Sequence, residues 1–214
     1  GNLIPDLAEK YENSENGLEY TVTLKDDVHF HDGVKVTADD VICTIEKVQD
    51  PNITSPRASN WEGIRAYKVD ELTVVFELKQ TYSPFIYNLT LGIIPKHIWR
   101  SVTSEEFPFS QFNIQAVGAG PYKVDSISYA GSGLPNEYKL KSYSNYSLGK
   151  PYISNIVIKS YSGERDLLES FKDGNVDSIH GISPERVVGL SMEEDEIILS
   201  PLPRIFGVFF NQNV

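Results

Sequence analysis

Apolar residues change their spacing along this chain, and the change restricts it to folds that combine sheets with helices. From Leu18 to Leu24 they occupy every second position, which predicts a β-strand with one buried face. From Val41 to Val48 they recur three or four residues apart, the spacing of one helix face. We therefore predict a mixed α and β fold.

The strand that ends at Leu24 is predicted to be the second half of a hairpin. Ala8 to Glu12 supplies its partner strand, and Asn16-Gly17 is a typical pair for the tight turn between them. Ile64 to Val69 and Leu72 to Leu78 predict a second hairpin of the same kind.

A helix from Ala38 to Gln49 is predicted between these hairpins. Asp32-Gly33 forms a turn before it, Thr37 is the predicted N-cap, and Asp40 stands at the capping-box position. The segment that follows the helix, residues 50–63, is rich in turn-forming residues and predicts a surface loop. Residues 83–95 predict a short helix and then a buried strand.

The last third of the chain alternates between the two element types. Tyr122 to Ile127 and Glu137 to Lys141 predict paired strands. The elements predicted after them are strand Ile156 to Ser160, helix Gly163 to Lys172, strand Val176 to Ile179, helix Pro184 to Leu190, and strands around Ile197 and Phe206 to Phe210. Such alternation implies parallel βαβ units with right-handed crossovers. Ser162 and Ser183 stand where the N-caps of the two helices are expected.

The formal charge of −11, from 30 acidic and 19 basic residues, argues against nucleic acid and anionic lipid as partners. Cys43, the single cysteine, is predicted to be a buried, inert thiol. The most apolar run, Ile205 to Phe210, is too short to span a bilayer. The chain starts at Gly1 without Met, so we expect a processed or excised segment.

Metal-dependent and nucleophilic chemistry find little support in the residues. His29 and His31 would share one face of a strand, but a zinc site needs three or four ligands, and His97 and His180 lie in distant contexts. The alternative is that His31 forms hydrogen bonds within the turn before the helix. Neither a nucleophile elbow nor a phosphate loop occurs. We therefore predict no catalytic residue, no metal, no cofactor and no enzymatic activity.

Four separated segments resemble the family 5 extracellular solute-binding proteins, which include oligopeptide-, dipeptide- and nickel-binding proteins of ABC importers. In chain order they are LIPDLAEKYENSENGLEYTVTLKDDVHFHDGVKVTADDVICTIEKV, GAGPYKV, the stretch from NYSLGKPYISNIVIK through GERDLLESFKDGNVDSIHGISPERV, and FGVFFNQN. Ala119 stands where the family usually has Thr.

The resemblance implies a periplasmic-binding-protein-like fold of two lobes and about twice this length. Residues 1–112 would correspond to a subdomain inserted in the first lobe, and residues 113–214 to part of that lobe's α/β core. The ligand would lie between the lobes, and the second lobe would be absent from this chain.

Ligand-binding residues are expected where strands end, because open α/β sheets bind ligands beyond the carboxyl ends of their strands. The predicted candidates are Gly181, Ile182 and Ser183, after the strand at Val176, and Asn211 after the last strand.

The resemblance implies an extracytoplasmic protein that binds a peptide or another small polar ligand, docks on ABC permease subunits and is attached to a membrane only through a lipid anchor outside this chain. A monomer is the working assumption. Two other classes stay open. One is a small-substrate hydrolase, and the other is a signalling or structural module that keeps the fold without transport.

Overall fold

The computed structural model describes residues 2–131 and 133–187. The chain divides into two compact units, Gly1–Ser160 and Tyr161–Val214. The predicted boundary near Phe112 concerns the correspondence with the family's lobes, and it stays a prediction. Within the described ranges no helix is long and apolar enough to cross a membrane.

The first unit contains a four-stranded antiparallel sheet. Its strands are β1 (Ala8–Asn13), β2 (Glu19–Leu24), β3 (Arg65–Lys68) and β4 (Thr73–Glu77), in the order β1-β2-β4-β3. Both predicted hairpins are confirmed. In the first turn, Gly17 has a φ of 67°, a backbone conformation that glycine adopts without steric cost.

Helix α1 (Ala38–Gln49) has the predicted bounds and packs against this sheet. The Asp40 carboxylate accepts hydrogen bonds from the Thr37 backbone N–H at 2.8 Å and the Thr37 hydroxyl at 3.0 Å. It also accepts one from the Lys96 backbone N–H at 2.8 Å. The predicted capping role of Asp40 is therefore confirmed, and the same side chain fastens a second segment to the helix start. Cys43 is buried, as predicted.

An aromatic cluster forms the centre of the core. The ring centroid of Phe85 lies 4.8 Å from that of Tyr20, 5.7 Å from that of Trp61 and 5.8 Å from that of Phe76. Trp61, only 2% exposed, belongs to the short helix α2 (Ala58–Trp61). The prediction of a surface loop over residues 50–63 is therefore wrong at its end, because one large aromatic side chain draws that segment into the core.

Two short helices follow, α3 (Phe85–Asn88) and α4 (Lys96–Trp99). The predicted short helix is confirmed, but the buried strand predicted before Pro95 does not form. The Ile94 N–H donates to the buried Thr44 hydroxyl of α1 at 3.0 Å, so a side chain satisfies this backbone group where a strand would have used a neighbouring strand.

A second antiparallel sheet completes the first unit. It consists of β5 (Tyr122–Tyr129), β6 (Pro135–Ser142) and β7 (Asn155–Lys159), in that order. All three strands were predicted. The prediction of parallel βαβ units is not supported in the described ranges, because β7 pairs antiparallel with β6.

The described part of the second unit contains α5 (Glu164–Lys172) and α6 (Pro184–Val187). The N-cap of α5 is Gly163 rather than the predicted Ser162, whose hydroxyl donates to the Asp166 carboxylate. No strand forms over residues 176–179. Only the two ends of this short segment are apolar, and no other described segment pairs with it. The end of the predicted helix at Leu190 and the strands near Ile197 and Phe206 lie outside the described residues.

Candidate ligand-binding site

Three of the four predicted ligand-binding residues form a loop just before α6. Gly181 is exposed and has a φ of 80°, whereas Ile182 and Ser183 are half-buried. The strand that was expected to lead into this loop does not form over residues 176–179. The prediction that the loop lies at the carboxyl end of a strand is therefore not supported. Asn211 lies outside the described residues. The ligand role of all four residues stays a prediction.

A single carboxylate holds this loop. Glu164, in the first turn of α5, accepts a hydrogen bond from the Ser183 backbone N–H at 3.2 Å and from the Ser183 hydroxyl at 2.9 Å. The Arg186 Nε atom lies 3.9 Å from the same carboxylate. An acidic residue suits the N-terminus of any helix, so no local pattern in the sequence indicated this contact with Ser183, and it was missed.

Two signature segments of the first unit meet at His31. The His31 backbone N–H donates to the Gly118 carbonyl at 2.8 Å, and its ring Nε2 lies 2.9 Å from the Gly120 carbonyl. The Gly118 N–H donates to His31 Nδ1 at 3.3 Å. The predicted hydrogen bonding of His31 within its own turn is therefore wrong, because its partners lie in the GAGP segment. We call His31, Gly118, Gly120 and Tyr143 the motif junction.

Tyr143 closes the motif junction from a third segment. Its ring packs edge-to-face with the His31 ring, with 5.0 Å between the ring centroids. Its hydroxyl donates to the Phe30 carbonyl at 3.0 Å. Burial lowers the pKa of His31 below its ordinary value, although the hydrogen bond to Gly120 acts in the opposite direction. The neutral ring matches this geometry, since one nitrogen donates and the other accepts.

His97 also belongs to this region, although its position in the sequence suggested an unrelated context. Its Nε2 lies 2.7 Å from the Asp32 carboxylate. Partial burial raises the pKa of Asp32, but hydrogen bonds from His97 and the Val34 N–H outweigh it and leave that pKa below its ordinary value. Among the described residues, no three His, Cys, Asp or Glu side chains are grouped as metal ligands would be.

The sequence matches the family model "Bacterial extracellular solute-binding proteins, family 5 Middle" over residues 2–214. The oligopeptide-binding protein AppA of Bacillus subtilis is 30% identical over 162 residues, which are 74% of this chain and 29% of AppA. The glutathione-binding protein GsiB of Shigella flexneri is 26% identical over 210 residues, which are 97% of this chain and 39% of GsiB. The chain thus spans about a third of the length of these curated relatives.

Solved structures confirm the predicted fold class, mixed α and β and periplasmic-binding-protein-like. NikZ of Campylobacter jejuni, in complex with Ni(L-His), matches with a TM-score of 0.71 and 31% identity over 81% of this chain and 34% of NikZ. AppA of Bacillus subtilis, in complex with a nonapeptide, matches with a TM-score of 0.70 and 28% identity over 79% of this chain and 34% of AppA. The chain belongs to family 5 of the bacterial extracellular solute-binding proteins.

Proposed function

We propose that this chain is part of an extracytoplasmic solute-binding protein that captures a peptide or another small polar ligand for an ABC importer. The observation that carries the proposal is the family match over residues 2–214. The names of the relatives support the ligand class, because AppA is an oligopeptide-binding protein and GsiB a glutathione-binding protein. The nickel–histidine complex of NikZ keeps small chelates within the range of ligands to test.

The proposed mechanism is closure of two lobes around the ligand. Residues 1–112 would form the inserted subdomain of the first lobe and residues 113–214 part of its core, while the second lobe would come from outside this chain. A ligand that contacts both lobes favours the closed state by its differential affinity for that state. The closed protein would then dock as a monomer on the permease subunits.

We propose that the protein binds its ligand without chemical change. The relatives named above are binding proteins, which supports this view. In the motif junction, the His31 ring nitrogens are both engaged with backbone groups of Gly118 and Gly120. A general base needs a free nitrogen within reach of a substrate proton, so this geometry favours a structural role for His31 over a catalytic one.

The proposed ligand-facing residues of this chain are Gly181, Ile182, Ser183 and Asn211. A loop that carries a glycine brings backbone N–H and C=O groups close to a ligand, because no side chain stands between them. Main-chain contacts of this type bind peptides with little regard to their side chains.

Isothermal titration calorimetry on the full-length protein tests the proposal. The ligands are alanine-based peptides of two to nine residues, glutathione and the nickel–histidine complex. We expect at least one of them to bind the full-length protein, and the isolated chain of 214 residues to bind it weakly or not at all. Failure of the full-length protein to bind any of them would contradict the proposed ligand class.

Two further outcomes separate the alternatives. Tight binding by the isolated chain would place the whole site within these residues. Mass spectrometry of the peptides after incubation should show no cleavage, and turnover that a single substitution abolishes would identify the protein as a hydrolase.

A further inference from the structure

The Glu164 carboxylate makes more specific contacts than a solvated surface acid. It lies in the first turn of α5 and accepts both hydrogens that Ser183 offers, the backbone N–H at 3.2 Å and the hydroxyl at 2.9 Å. Its side chain is 38% exposed, and the Arg186 Nε lies 3.9 Å away. Hydrogen bonds to an ionised carboxylate are stronger than those between neutral groups.

These contacts fix the end of the loop next to α6. At the other end, Gly181 adopts a left-handed backbone conformation with a φ of 80°, which other residues rarely adopt. Ile182 lies between Gly181 and Ser183. Gly181 permits this turn of the backbone, and the Glu164 carboxylate, 19 residues before Ser183 in the sequence, is the contact that holds the loop in place.

The hydrogen bonds also determine what Ser183 can offer a ligand. A serine hydroxyl has one hydrogen to donate and two lone pairs that accept. Because Glu164 takes the hydrogen, the Ser183 oxygen is left as an acceptor. A ligand group that meets it must therefore be a donor, such as the N–H of a peptide main chain or an amine.

We propose that Glu164 is the positioning residue of the ligand-facing loop 181–183, and that it orients Ser183 as an acceptor for a ligand N–H. This inference rests on the proposed function, which assigns the loop to the ligand. Glu164 acts through Ser183 and does not itself contact the ligand.

The test uses the full-length protein and the alanine peptide that it binds most tightly. We expect Glu164→Ala to raise the Kd by about tenfold, since the loop loses its anchor. Glu164→Gln should raise the Kd by a smaller factor, about threefold, because its amide oxygen can still accept the Ser183 N–H, whereas its NH₂ group donates to the Ser183 hydroxyl oxygen and occupies one of the two lone pairs. Glu169→Ala is the matched control, because this glutamate lies on the same helix, is 66% exposed and contacts only Arg165 among the described ion pairs.

Two readouts distinguish positioning from a general loss of structure. Hydrogen–deuterium exchange of the Ser183 amide should accelerate in Glu164→Ala and stay unchanged in Glu169→Ala. In a second experiment, each backbone nitrogen of the peptide is methylated in turn, which removes its N–H. At one position methylation should weaken binding to the wild type but have little further effect on binding to Glu164→Ala.

The possible failures are distinct. Equal Kd values for Glu164→Ala and Glu169→Ala would overturn the inference while leaving the proposed function intact. If the wild type binds no peptide, the proposed function fails and Glu164 loses its ligand role with it. Unchanged amide exchange in Glu164→Ala would show that the carboxylate does not hold the loop at all.

Discussion

The two sheets of the first unit differ in how fully they bury their apolar residues. In the four-stranded sheet, Tyr20 is 6% exposed and Val74 is 1% exposed. In the three-stranded sheet, Val157 is 49% and Ile158 is 50% exposed. Neighbouring residues of a strand point to opposite faces, so within the described part of the chain both faces of β7 carry half-exposed apolar residues.

The reason for the difference lies in what covers each sheet. Helix α1 and the aromatic cluster around Phe85 lie on the four-stranded sheet and form one core with it. A continuous apolar sequence such as that of β7 is typical of a strand buried on both faces. The four-stranded sheet is therefore stabilised by burial within its own unit, whereas the described residues bury the apolar side chains of β7 much less.

The sharpest test of this difference is a pair of tyrosines, one in each sheet. Tyr20→Ala should reduce the free energy of unfolding by about 3–4 kcal/mol, because it removes a ring from the aromatic cluster. Tyr129→Ala, at a position that is 50% exposed, should cost less than about 1 kcal/mol. Urea unfolding followed by tryptophan fluorescence measures both, since Trp61 and Trp99 lie in the first unit. Equal losses would refute the comparison.

A neighbouring pair of aspartates on α1 tests how that helix is held on the first sheet. Asp40 is 5% exposed and accepts three hydrogen bonds, so Asp40→Ala should cost about 2–3 kcal/mol. Asp39 pairs with Lys68 and Lys96, which lower the pKa of its carboxyl through hydrogen bonds. Its side chain is 37% exposed, so Asp39→Ala should cost less than about 1 kcal/mol.

Both aspartate variants are measured by the same urea unfolding experiment at neutral pH. Added salt separates them further, because it screens an exposed ion pair more than a buried hydrogen-bond network. A larger loss for Asp39→Ala than for Asp40→Ala would mean that the surface ion pairs, and not the buried cap, hold α1 in place.

Two valines give a smaller but more closely matched contrast. Val74→Ala on β4 should cost about 2 kcal/mol, from lost burial and the small cavity that remains. Val157→Ala on β7 should cost less than about 1 kcal/mol, since half of that side chain is already in water. A loss at Val157 that equals the loss at Val74 would show that β7 is covered in the folded protein.

The sequence predicted those elements in which several local signals agree. For α1 the apolar period, the Thr37 cap and Asp40 indicate the same bounds, and the structure has them. Trp61 belongs to no apolar period, because it is a single aromatic residue among turn formers. Its burial depends on contacts with Phe76 and Phe85, which are distant in the sequence. Residues 176–179 were predicted as a strand from their composition, but a strand also needs a neighbour.

The candidate site shows the same limit. The rule that ligands bind beyond the carboxyl ends of strands pointed to the loop at Gly181, but the partner of Ser183 could not be inferred, since any acidic residue suits a helix start. His31 was considered as a zinc ligand or as a residue that forms hydrogen bonds within its own turn, and its actual partners, Gly118 and Gly120, were identified only as part of another motif. Contacts between distant segments leave no local signal in a single sequence.

The smallest predicted effect concerns the motif junction, which connects the turn before α1 to the segment that leads into β5. Burial lowers the pKa of His31, nearby Lys123 acts in the same direction, and the Gly120 hydrogen bond and Asp32 oppose them. The unfolded chain therefore binds a proton more readily than the folded one as the pH falls below about 6.5. The His31 contribution to stability is complete above that pH and is lost as the pH falls towards the lowered pKa.

Urea unfolding between pH 7 and pH 5, in the wild type and in His31→Gln, measures this contribution. Glutamine keeps one donor and one acceptor but does not titrate, so the decline in unfolding free energy with falling pH should be shallower in the variant. All other ionisable residues are common to both proteins, so the difference between the two pH profiles reports on position 31. An identical decline would mean that the junction accepts a protonated ring, and that the Gly118 N–H does not depend on His31 Nδ1 as its acceptor.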